Sequence, residues 1–480
     1  MNLKMCKIFI APFAAALLMV STVSCRNDIA ATGNETPVAP SPSVQQPYGT
    51  PYQLTDGQKY VYDVDAVPSI TLNITAAEWN KLLSYYDQNP KNEEYVKGNF
   101  NFVKDGNPET LNDIGLRLRG NTSRRRPEGI TGQLHNTANP DWHHASFTLN
   151  FKKYSKEQLF HSAEKLILKW FKDDPVYARE VYAYDLFERF GVWTAAQSSY
   201  CRLSIKIEGD AKPAYFGVYQ LIEPVDDTYL NNRKSFFSTQ GNLWKANYGA
   251  DLKDPSKDNM GIEKITLTSN YTPVYDYKSK KSNLENAKTQ LADFINNVNN
   301  KQGLELKNYI DSKMDVDLFL KTYAVNVMVG MWDDYWNNKS NYYFYFDGAG
   351  KFYFIPYDYD NILGTSYLMT DSGTQNPLNW GDNEAKPLVA KVLSIVEYKQ
   401  KYINYLKDLA DKKYDLFYVN YSQQRISAWQ SKISAYVTND TGEDMSIYDA
   451  PASWGNKPDY KLMSGTSNNF FVVKAASVPK

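Results

Sequence analysis

Two short segments rich in carboxylate and amide side chains contain the residues that could do chemistry. The first holds Asp333, Asn338 and Asn341, and the second holds Asp358 and Asp360. Oxygen ligands of these types suit a hard cation such as Mg²⁺, which proteins bind through one or two carboxylates together with the phosphate groups of a substrate. The two segments are therefore candidates for a magnesium site.

A predicted β-hairpin would bring these two segments together. Its turn is at residues 347–350 (DGAG), and antiparallel strands joined by a tight turn place their outer ends side by side. Asp333 and Asn341 precede the hairpin and Asp358 follows it, so their oxygens can face one small volume. Protein kinases have the same order of catalytic aspartate, asparagine ligand, hairpin and second aspartate. A solvated acidic turn or a structural Ca²⁺ site would have the same composition, and the residues alone leave these interpretations open.

The strands that must position these residues are predicted from hydrophobic alternation. Ile114, Leu116 and Leu118 alternate with Arg117 and Arg119, which indicates a strand with both arginines on the face opposite the apolar side chains. The same alternation predicts further strands at residues 70–74, 147–151, 166–170, 201–207 and 215–223. The first half of the chain is therefore expected to be a mainly antiparallel sheet.

The helices are predicted from their terminal signals and their periodicity. Thr75 and Glu78 have the spacing of a capping box, whereas Asp174 followed by Pro175 is typical of a helix start, with Gly191 at the end of that helix. Further helices are predicted at about 283–298, 315–331 and 385–437. The second half is thus more helical, and the expected fold class is α+β.

The bulk composition limits the classes of function. Lys and Arg total 53 against 54 Asp and Glu, so the net charge of -1 gives no electrostatic basis for binding nucleic acid or an acidic membrane surface. The 38 Tyr and 10 Trp residues could form sugar-binding platforms, but such residues also fill cores, which is the favoured interpretation. We expect a monomer.

The N-terminal residues predict export and a lipid anchor. Lys4 and Lys7 precede an apolar run at 8–20 that is too short to span a bilayer and is typical of a signal peptide. The string TVSC, which ends at Cys25, resembles a lipobox. We therefore expect residues 1–24 to be a signal peptide, 25–50 a lipidated cysteine and disordered tether, and 51–480 the folded domain, held at a membrane surface of the cell envelope. An ordinary secretory signal with a chance cysteine is the alternative. After lipidation only Cys201 would remain as a thiol, which excludes an internal disulfide.

Six groups of residues occur in one order along the chain: LRLRGNTS (116–123), Asp174 with Arg179 and FERFGV (187–192), YFGVYQLIE (215–223), GNLWK (241–245), NYY (341–343) and FIPYDYD (354–360). Together they resemble successive blocks of the CotH kinase family, the spore coat protein H-like relatives of protein kinases. The resemblance spans most of the folded chain, and the N-terminus would make it a bacterial lipoprotein member.

The resemblance implies a kinase-like, two-lobed fold that transfers the γ-phosphoryl group of ATP to Ser or Thr of an exported protein. Asp333 would then orient the substrate hydroxyl and accept its proton, while Asp358 and Asp360 would hold Mg²⁺. Asn341 matches the family string, but Asn338 has the kinase-like spacing from Asp333, so either residue could supply the amide ligand.

The nucleotide is expected to bind at the end of the strand that carries the two arginines. There, guanidinium groups and backbone N–H groups can neutralise phosphate charge. The residues that the resemblance and the basic strand face assign to nucleotide binding are Arg117, Arg119, Asn121, Ser123 and Lys169.

One departure from the family pattern concerns a lysine that members usually carry shortly before the strand at 146–151. This chain has His143 and His144 there, and a neutral imidazole is a poor phosphate anchor. The substitute cation could be Lys152, Lys169 or a member of the arginine run 124–126, although such runs are often only solvated. Without a substitute, the chain would be a non-catalytic surface lipoprotein that binds a glycan or a protein partner. A glycoside hydrolase that uses two of the clustered carboxylates is a third class.

Overall fold

The structure, a computed structural model, describes residues 52–266, 272–381, 386–452, 455 and 459–480. The predicted signal peptide, Cys25 and the tether lie outside the described residues. Among the described residues, no helix combines the length and the apolar character needed to cross a bilayer.

Seven strands of the first half close into a barrel in the order β1-β2-β3-β4-β5-β7-β6. Neighbouring strands are antiparallel, except that β1 and β6 pair in parallel, with Leu72 opposite Ile205. The sequence predicts all of these strands except β2, and it does not predict the closure. The strands are β1 (Ser69–Ile74), β2 (Val96–Lys104), β3 (Asn107–Arg119), β4 (Ser146–Asn150), β5 (Lys165–Trp170), β6 (Ser198–Ile207) and β7 (Ala214–Ile222).

Alternation along the strands gives the barrel an apolar interior. Leu116 and Leu118 are buried in it, whereas Arg117 and Arg119 lie on the other face of β3 and are only partly buried, as predicted. The interior is rich in aromatic side chains, such as Phe147 from β4. The aromatic residues therefore largely fill cores, in agreement with the favoured interpretation.

Three helices accompany the barrel, α1 (Asp56–Val61), α2 (Ala76–Gln88) and α3 (Arg179–Arg189). The predicted capping box of α2 is only half formed. The Thr75 hydroxyl accepts the backbone N–H of Glu78 at 3.2 Å, but the Glu78 carboxylate accepts the backbone N–H of Lys97 on β2 instead, at 2.7 Å. The helix thereby gains a tie to the barrel in place of a second cap bond.

The prediction that α3 starts at Asp174 and Pro175 is wrong. Tyr177 has a φ of +59°, a left-handed conformation that interrupts a helix, and α3 begins two residues later. The Asp174 carboxylate nevertheless accepts the backbone N–H groups of Ala178 and Arg179, both at 2.9 Å, and pairs with the Arg179 guanidinium at 2.6 Å. Asp174 therefore still binds the N–H groups at the start of the helix, although Ala178 is the N-cap residue.

The second half combines a five-stranded sheet, in the order β12-β11-β8-β10-β9, with helices. The predicted hairpin is present as β11 and β12, with Tyr342 opposite Pro356. The elements in chain order are α4 (Asp227–Asn232), β8 (Asn242–Ala246), β9 (Met260–Gly261), β10 (Tyr275–Tyr277), α5 (Leu284–Asn300), α6 (Gly303–Lys313), α7 (Val316–Met328), β11 (Tyr342–Phe346) and β12 (Phe352–Pro356).

The helical structure predicted at about 385–437 is confirmed, as three helices that turns separate. The C-terminal helices are α8 (Pro387–Leu393), α9 (Val396–Ala410), α10 (Val419–Ile433) and α11 (Phe470–Ala476). They share a second hydrophobic core with α3, α7 and the second sheet. The α+β class is confirmed, and the residues that could do chemistry lie where α3 and β5 meet the end of the hairpin.

Candidate active site

Lys169 is the cation around which the acidic side chains of the site gather. It lies on β5, where Leu168 points into the barrel core and Lys169 points to the other face. Its ammonium is 2.6 Å from Asp358 Oδ1, 2.7 Å from Glu180 Oε2 and 3.1 Å from Asp360 Oδ2. Three carboxylates from two separate parts of the chain thus share one ammonium.

The carboxylates of this cluster outnumber the ammonium that they share. The pKa values of Lys169, Asp358 and Asp360 reflect this imbalance. Burial alone would lower the pKa of Lys169, but the carboxylates raise it well above its usual value. Burial opposes ionisation of Asp358 too, yet Lys169 and Arg119 hold its pKa below the usual range. Burial, with the charges of Asp358 and Glu180, raises the pKa of Asp360 to about 7 in spite of Lys169. The site therefore has an excess of carboxylate, which favours a further cation.

Helix α3 also holds the loop that carries Asp358. The second oxygen of Glu180, Oε1, accepts the backbone N–H of Tyr359 at 3.1 Å, and the Tyr184 hydroxyl lies 3.3 Å from the backbone N of Asp358. Asp358 itself has a φ of +63°, an uncommon conformation for a residue with a Cβ. Contacts with α3 therefore maintain the conformation that turns the Asp358 carboxylate toward Lys169.

Asp333 lies in the loop between α7 and β11 and is partly buried. Its Oδ1 accepts hydrogen bonds from the Asn338 amide and, at 3.1 Å, from the Ser340 hydroxyl, and the Asn341 amide donates to its backbone carbonyl at 3.0 Å. Burial raises the pKa of Asp333, the Asn338 bond opposes this, and the charge of Asp358 adds to the rise. Asp333 is thus a positioned carboxylate close enough to Asp358 to respond to its charge.

Its neighbour Asp334 has a structural environment. The carboxylate is 3% exposed and accepts the Asn326 amide at 2.5 Å and the backbone N–H of Asn337 at 2.7 Å. Asn326 in turn accepts the Tyr359 hydroxyl at 2.8 Å. A continuous set of hydrogen bonds therefore connects the Asp333 loop, through α7, to the residue that follows Asp358.

The hairpin register brings the two predicted segments together. Because Tyr342 pairs with Pro356, Asn341 stands across from Tyr357, next to Asp358. The Arg119 guanidinium reaches the same end of the hairpin from the barrel and donates to the Tyr357 hydroxyl at 2.8 Å. Asn341 thus lies at the same end of the hairpin as Asp358 and bonds the Asp333 carbonyl, while the shared role of the three residues stays a prediction.

Residues 116–460 match the family described as CotH kinase protein, which is more than half of the chain. The chain belongs to the CotH kinase protein family. A curated relative, Spore coat protein homolog 1 of Rhizopus delemar, is 22% identical over 369 residues, which cover 73% of this chain and 52% of the relative. The chain thus spans about half the length of the curated relative that it matches.

Other predicted nucleotide-binding residues of this CotH family member lie around the end of β3. Asn121 is exposed and Ser123 is partly buried in the loop that follows Gly120. Arg117 pairs with Glu93 at 3.0 Å. Their roles stay predictions, and all three lie near Arg119 along the chain.

The neighbouring arginine run is not merely solvated, so that alternative is wrong. Arg124 donates to the carbonyls of Pro90 and Asn92, both at 3.2 Å. Arg125 pairs with a carboxylate of the C-terminal segment, and Arg126 pairs with Asp87 at 2.8 Å. Each of these guanidinium groups ties its loop to another part of the protein.

His144, the departure from the CotH pattern, is a packing residue. Its ring stacks on Trp170 with centroids 5.1 Å apart, and its Nε2 lies 2.7 Å from the Phe216 carbonyl. Its Nδ1 faces Glu443 at 3.3 Å and Asp444 at 3.4 Å. Although burial opposes it, hydrogen bonds from His144 and Arg125 lower the pKa of Glu443 to about 2. His144 therefore holds the C-terminal segment on the barrel, and Lys169 is the predicted substitute that contacts Asp358.

Asp358 and Asp360 are the carboxylates of this site that could bind Mg²⁺. Within the described ranges, no three His, Cys, Asp or Glu side chains form a group that could hold a metal ion. Mg²⁺ in phosphoryl-transfer sites needs only one or two carboxylates, because substrate phosphates and water complete its shell. The side chains of Asp358 and Asp360 are 37% and 34% exposed and already share a cation, Lys169. The two carboxylates fit such a metal, and an amide oxygen of Asn341 or Asn338 stays the predicted further ligand.

Glu180 is the residue of the site that the sequence did not reveal. It occupies the first turn of α3, where an acidic residue is expected merely from the helix dipole. Its role depends on contacts with residues 11 and 179 positions away. No local signal distinguishes it, although a lysine and a glutamate that bridge a strand and a helix are the usual arrangement in protein kinases.

Proposed function

We propose that the protein is an atypical, Mg²⁺-dependent protein kinase that transfers the γ-phosphoryl group of ATP to Ser or Thr of exported proteins, with a kinase-like, two-lobed architecture. The observation that carries the proposal is the ammonium of Lys169 bound to both Glu180 on α3 and Asp358 after the hairpin. Protein kinases need this lysine–glutamate pair and a metal-binding aspartate in place together. Family membership supports the same conclusion.

In the proposed reaction each residue has one task. Lys169 and Arg119 would bind the phosphate groups, while Asp358 and Asp360 would hold Mg²⁺. When bound, the metal would neutralise charge that develops on the transferred group. Asp333 would orient the substrate hydroxyl and take its proton as the hydroxyl oxygen bonds to the γ-phosphorus and the bond from that phosphorus to the bridging oxygen of ADP breaks. The raised pKa of Asp333 suits a proton acceptor.

The test is Mg²⁺-dependent nucleotide binding and phosphoryl transfer by the full chain. We expect incorporation of the labelled γ-phosphoryl group into the protein itself or an added Ser-rich acceptor, and loss of this transfer when EDTA removes Mg²⁺. A wild-type chain that binds no nucleotide at millimolar concentration would refute the proposal and favour a non-catalytic surface protein.

We also propose that the protein works outside the cytoplasm as a monomer, held on a membrane by lipidated Cys25. The short apolar run and the lipobox-like string before Cys25 support this location. In Cys25→Ser, labelling by a lipid precursor should disappear and the protein should leave the membrane fraction. Membrane association that persists without any lipid label in the wild type would contradict the anchor.

A further inference from the structure

A cluster of basic side chains extends from Arg119 along the outer face of β3 toward the second sheet. Arg117 and Arg124 both face Glu93, at 3.0 Å and 3.5 Å, and their side chains are only 17% and 7% exposed. Lys245 on β8 and Lys278 after β10 are close enough to help lower the pKa of Glu93, although its partial burial opposes them. Glu93 thus pairs with both arginines, while the two lysines act on it from farther away and Lys278 pairs with Asp276.

Glu93 is one carboxylate that faces two guanidinium groups, Arg117 and Arg124, whereas Lys278 has its own partner in Asp276. Burial lowers the pKa of Arg124, and the charges of Arg117 and Arg119 add to the effect against the attraction of Glu93. The Nε of Arg124 is buried and has no hydrogen-bond partner among the described residues. Buried like charges repel one another unless an anion compensates them. The positive charge of the two arginines therefore exceeds the negative charge of Glu93. An anion with more than one negative charge would compensate it better.

The side chain of Glu93 is free to change its conformation. It lies in the loop between α2 and β2, and its side chain is 44% exposed. The loop backbone is held separately, because the Nη1 atom of Arg124 donates to the carbonyls of Pro90 and Asn92. The Glu93 side chain can therefore rotate away without breaking the bonds that hold the loop to Arg124.

We propose that Arg117 and Arg124 form a phosphate subsite beside Arg119, and that the carboxylate of Glu93 occupies this subsite until a phosphate group displaces it. Arginine suits this role because its planar guanidinium matches phosphate geometry. The inference rests on the proposed function, because that proposal assigns phosphoryl transfer to the residues beside the subsite. The phosphate group belongs either to the nucleotide itself or to a second phosphorylated molecule.

The experiment compares the full-length wild type with Glu93→Gln, Arg117→Gln and the matched control Glu94→Gln. Glu94 is the exposed neighbour of Glu93 and loses the same charge. Binding of tripolyphosphate, Mg-ATP and adenosine is measured by calorimetry, and circular dichroism checks the fold. Removing the internal competitor should tighten tripolyphosphate binding by about 2- to 5-fold, the range for one exposed ion pair. Arg117→Gln should weaken tripolyphosphate binding. Adenosine carries no phosphate, so its binding should not change in any of the variants.

The outcomes separate the possible phosphate sources and the two proposals. Tighter binding of both tripolyphosphate and Mg-ATP by Glu93→Gln supports the subsite and names the nucleotide as the source. Tighter binding of tripolyphosphate alone supports a subsite for a second molecule. If no variant binds Mg-ATP while tripolyphosphate responds, the kinase proposal fails and the subsite stands. An equal effect of Glu94→Gln, or weaker tripolyphosphate binding by Glu93→Gln, overturns the subsite.

Discussion

The Glu180 carboxylate accepts the backbone N–H of Tyr359 at 3.1 Å through one oxygen and binds the Lys169 ammonium at 2.7 Å through the other. Helix α3 is thereby joined to both the barrel and the loop after the hairpin. A displacement of α3 would break the contacts of Glu180 with Lys169 and with the Tyr359 backbone at the same time. The position of this one helix can therefore decide whether the site is assembled.

Glu180→Gln should separate these two contacts. The amide can still accept the Tyr359 N–H, but it cannot pair with Lys169 as an anion. We expect kcat/KM for phosphoryl transfer to fall by about 10- to 100-fold, which is the usual loss for one charge-assisted hydrogen bond. Steady-state kinetics would measure this. Glu188→Gln, on the last turn of the same helix, is the matched control, and an equal loss in both variants would contradict the assigned role.

Lys474 on α11 should make stability depend on pH. It is fully buried, and burial lowers its pKa from 10.5 to about 7 against the charge of Asp371. The unfolded chain keeps this proton up to 10.5, so it binds more protons than the folded chain between about pH 7 and 10.5. The free energy of unfolding should therefore rise with pH in that window, by at most about 1.4 kcal/mol per pH unit.

Denaturant unfolding from pH 6 to 10 would measure this dependence in the wild type and in Lys474→Met. The variant should lack the rise, although it also loses the bonds from Lys474 to the Ser372 and Gln375 carbonyls. Lys212→Met, at an exposed position, is the control and should keep the rise. Parallel curves for all three proteins would show that Lys474 is charged in the fold.

Local patterns were sufficient to predict where several of the candidate residues lie. The turn at 347–350 fixes the hairpin, and the hairpin alone brings Asn341 beside Asp358. Alternation likewise predicts the face on which Arg117 and Arg119 lie. These features depend on residues that are near one another in sequence.

What the sequence could not predict depends on distant contacts. The barrel closes through parallel pairing of β1 with β6, strands that are far apart in the chain. Glu180 is recognised only when β5 and the hairpin end are placed beside α3. Helix α3 starts later than predicted because Tyr177 adopts a left-handed conformation. Bulky aromatic residues rarely adopt this conformation, so the sequence gives no signal for it.

Asp358→Asn should abolish phosphoryl transfer. The amide keeps the shape of the side chain but removes the charge that would hold Mg²⁺ and that now pairs with Lys169. Mg²⁺-dependent stabilisation by ATP in a thermal melt should also disappear. Folding should survive, because Lys169 keeps Glu180 and Asp360 as partners. Full Mg²⁺ dependence in the variant would show that Asp358 is not a metal ligand, and Asp258→Asn, an exposed carboxylate before β9, controls for the loss of charge.

Asp333→Asn should lower turnover without weakening the binding of Mg-ATP, in contrast to Asp358→Asn. Its carboxylate is placed by Asn338 and Ser340 and has no contact with Lys169, so Mg-ATP should bind with the wild-type affinity. Turnover should fall by about 10²- to 10⁴-fold, the usual share of general acid–base help. Burial raises the pKa of Asp333, helped by the charge of Asp358 against the Asn338 bond, and the rate should therefore decline at acid pH as Asp333 takes up a proton. Equal losses of binding and turnover would instead mean that Asp333 holds the loop in shape.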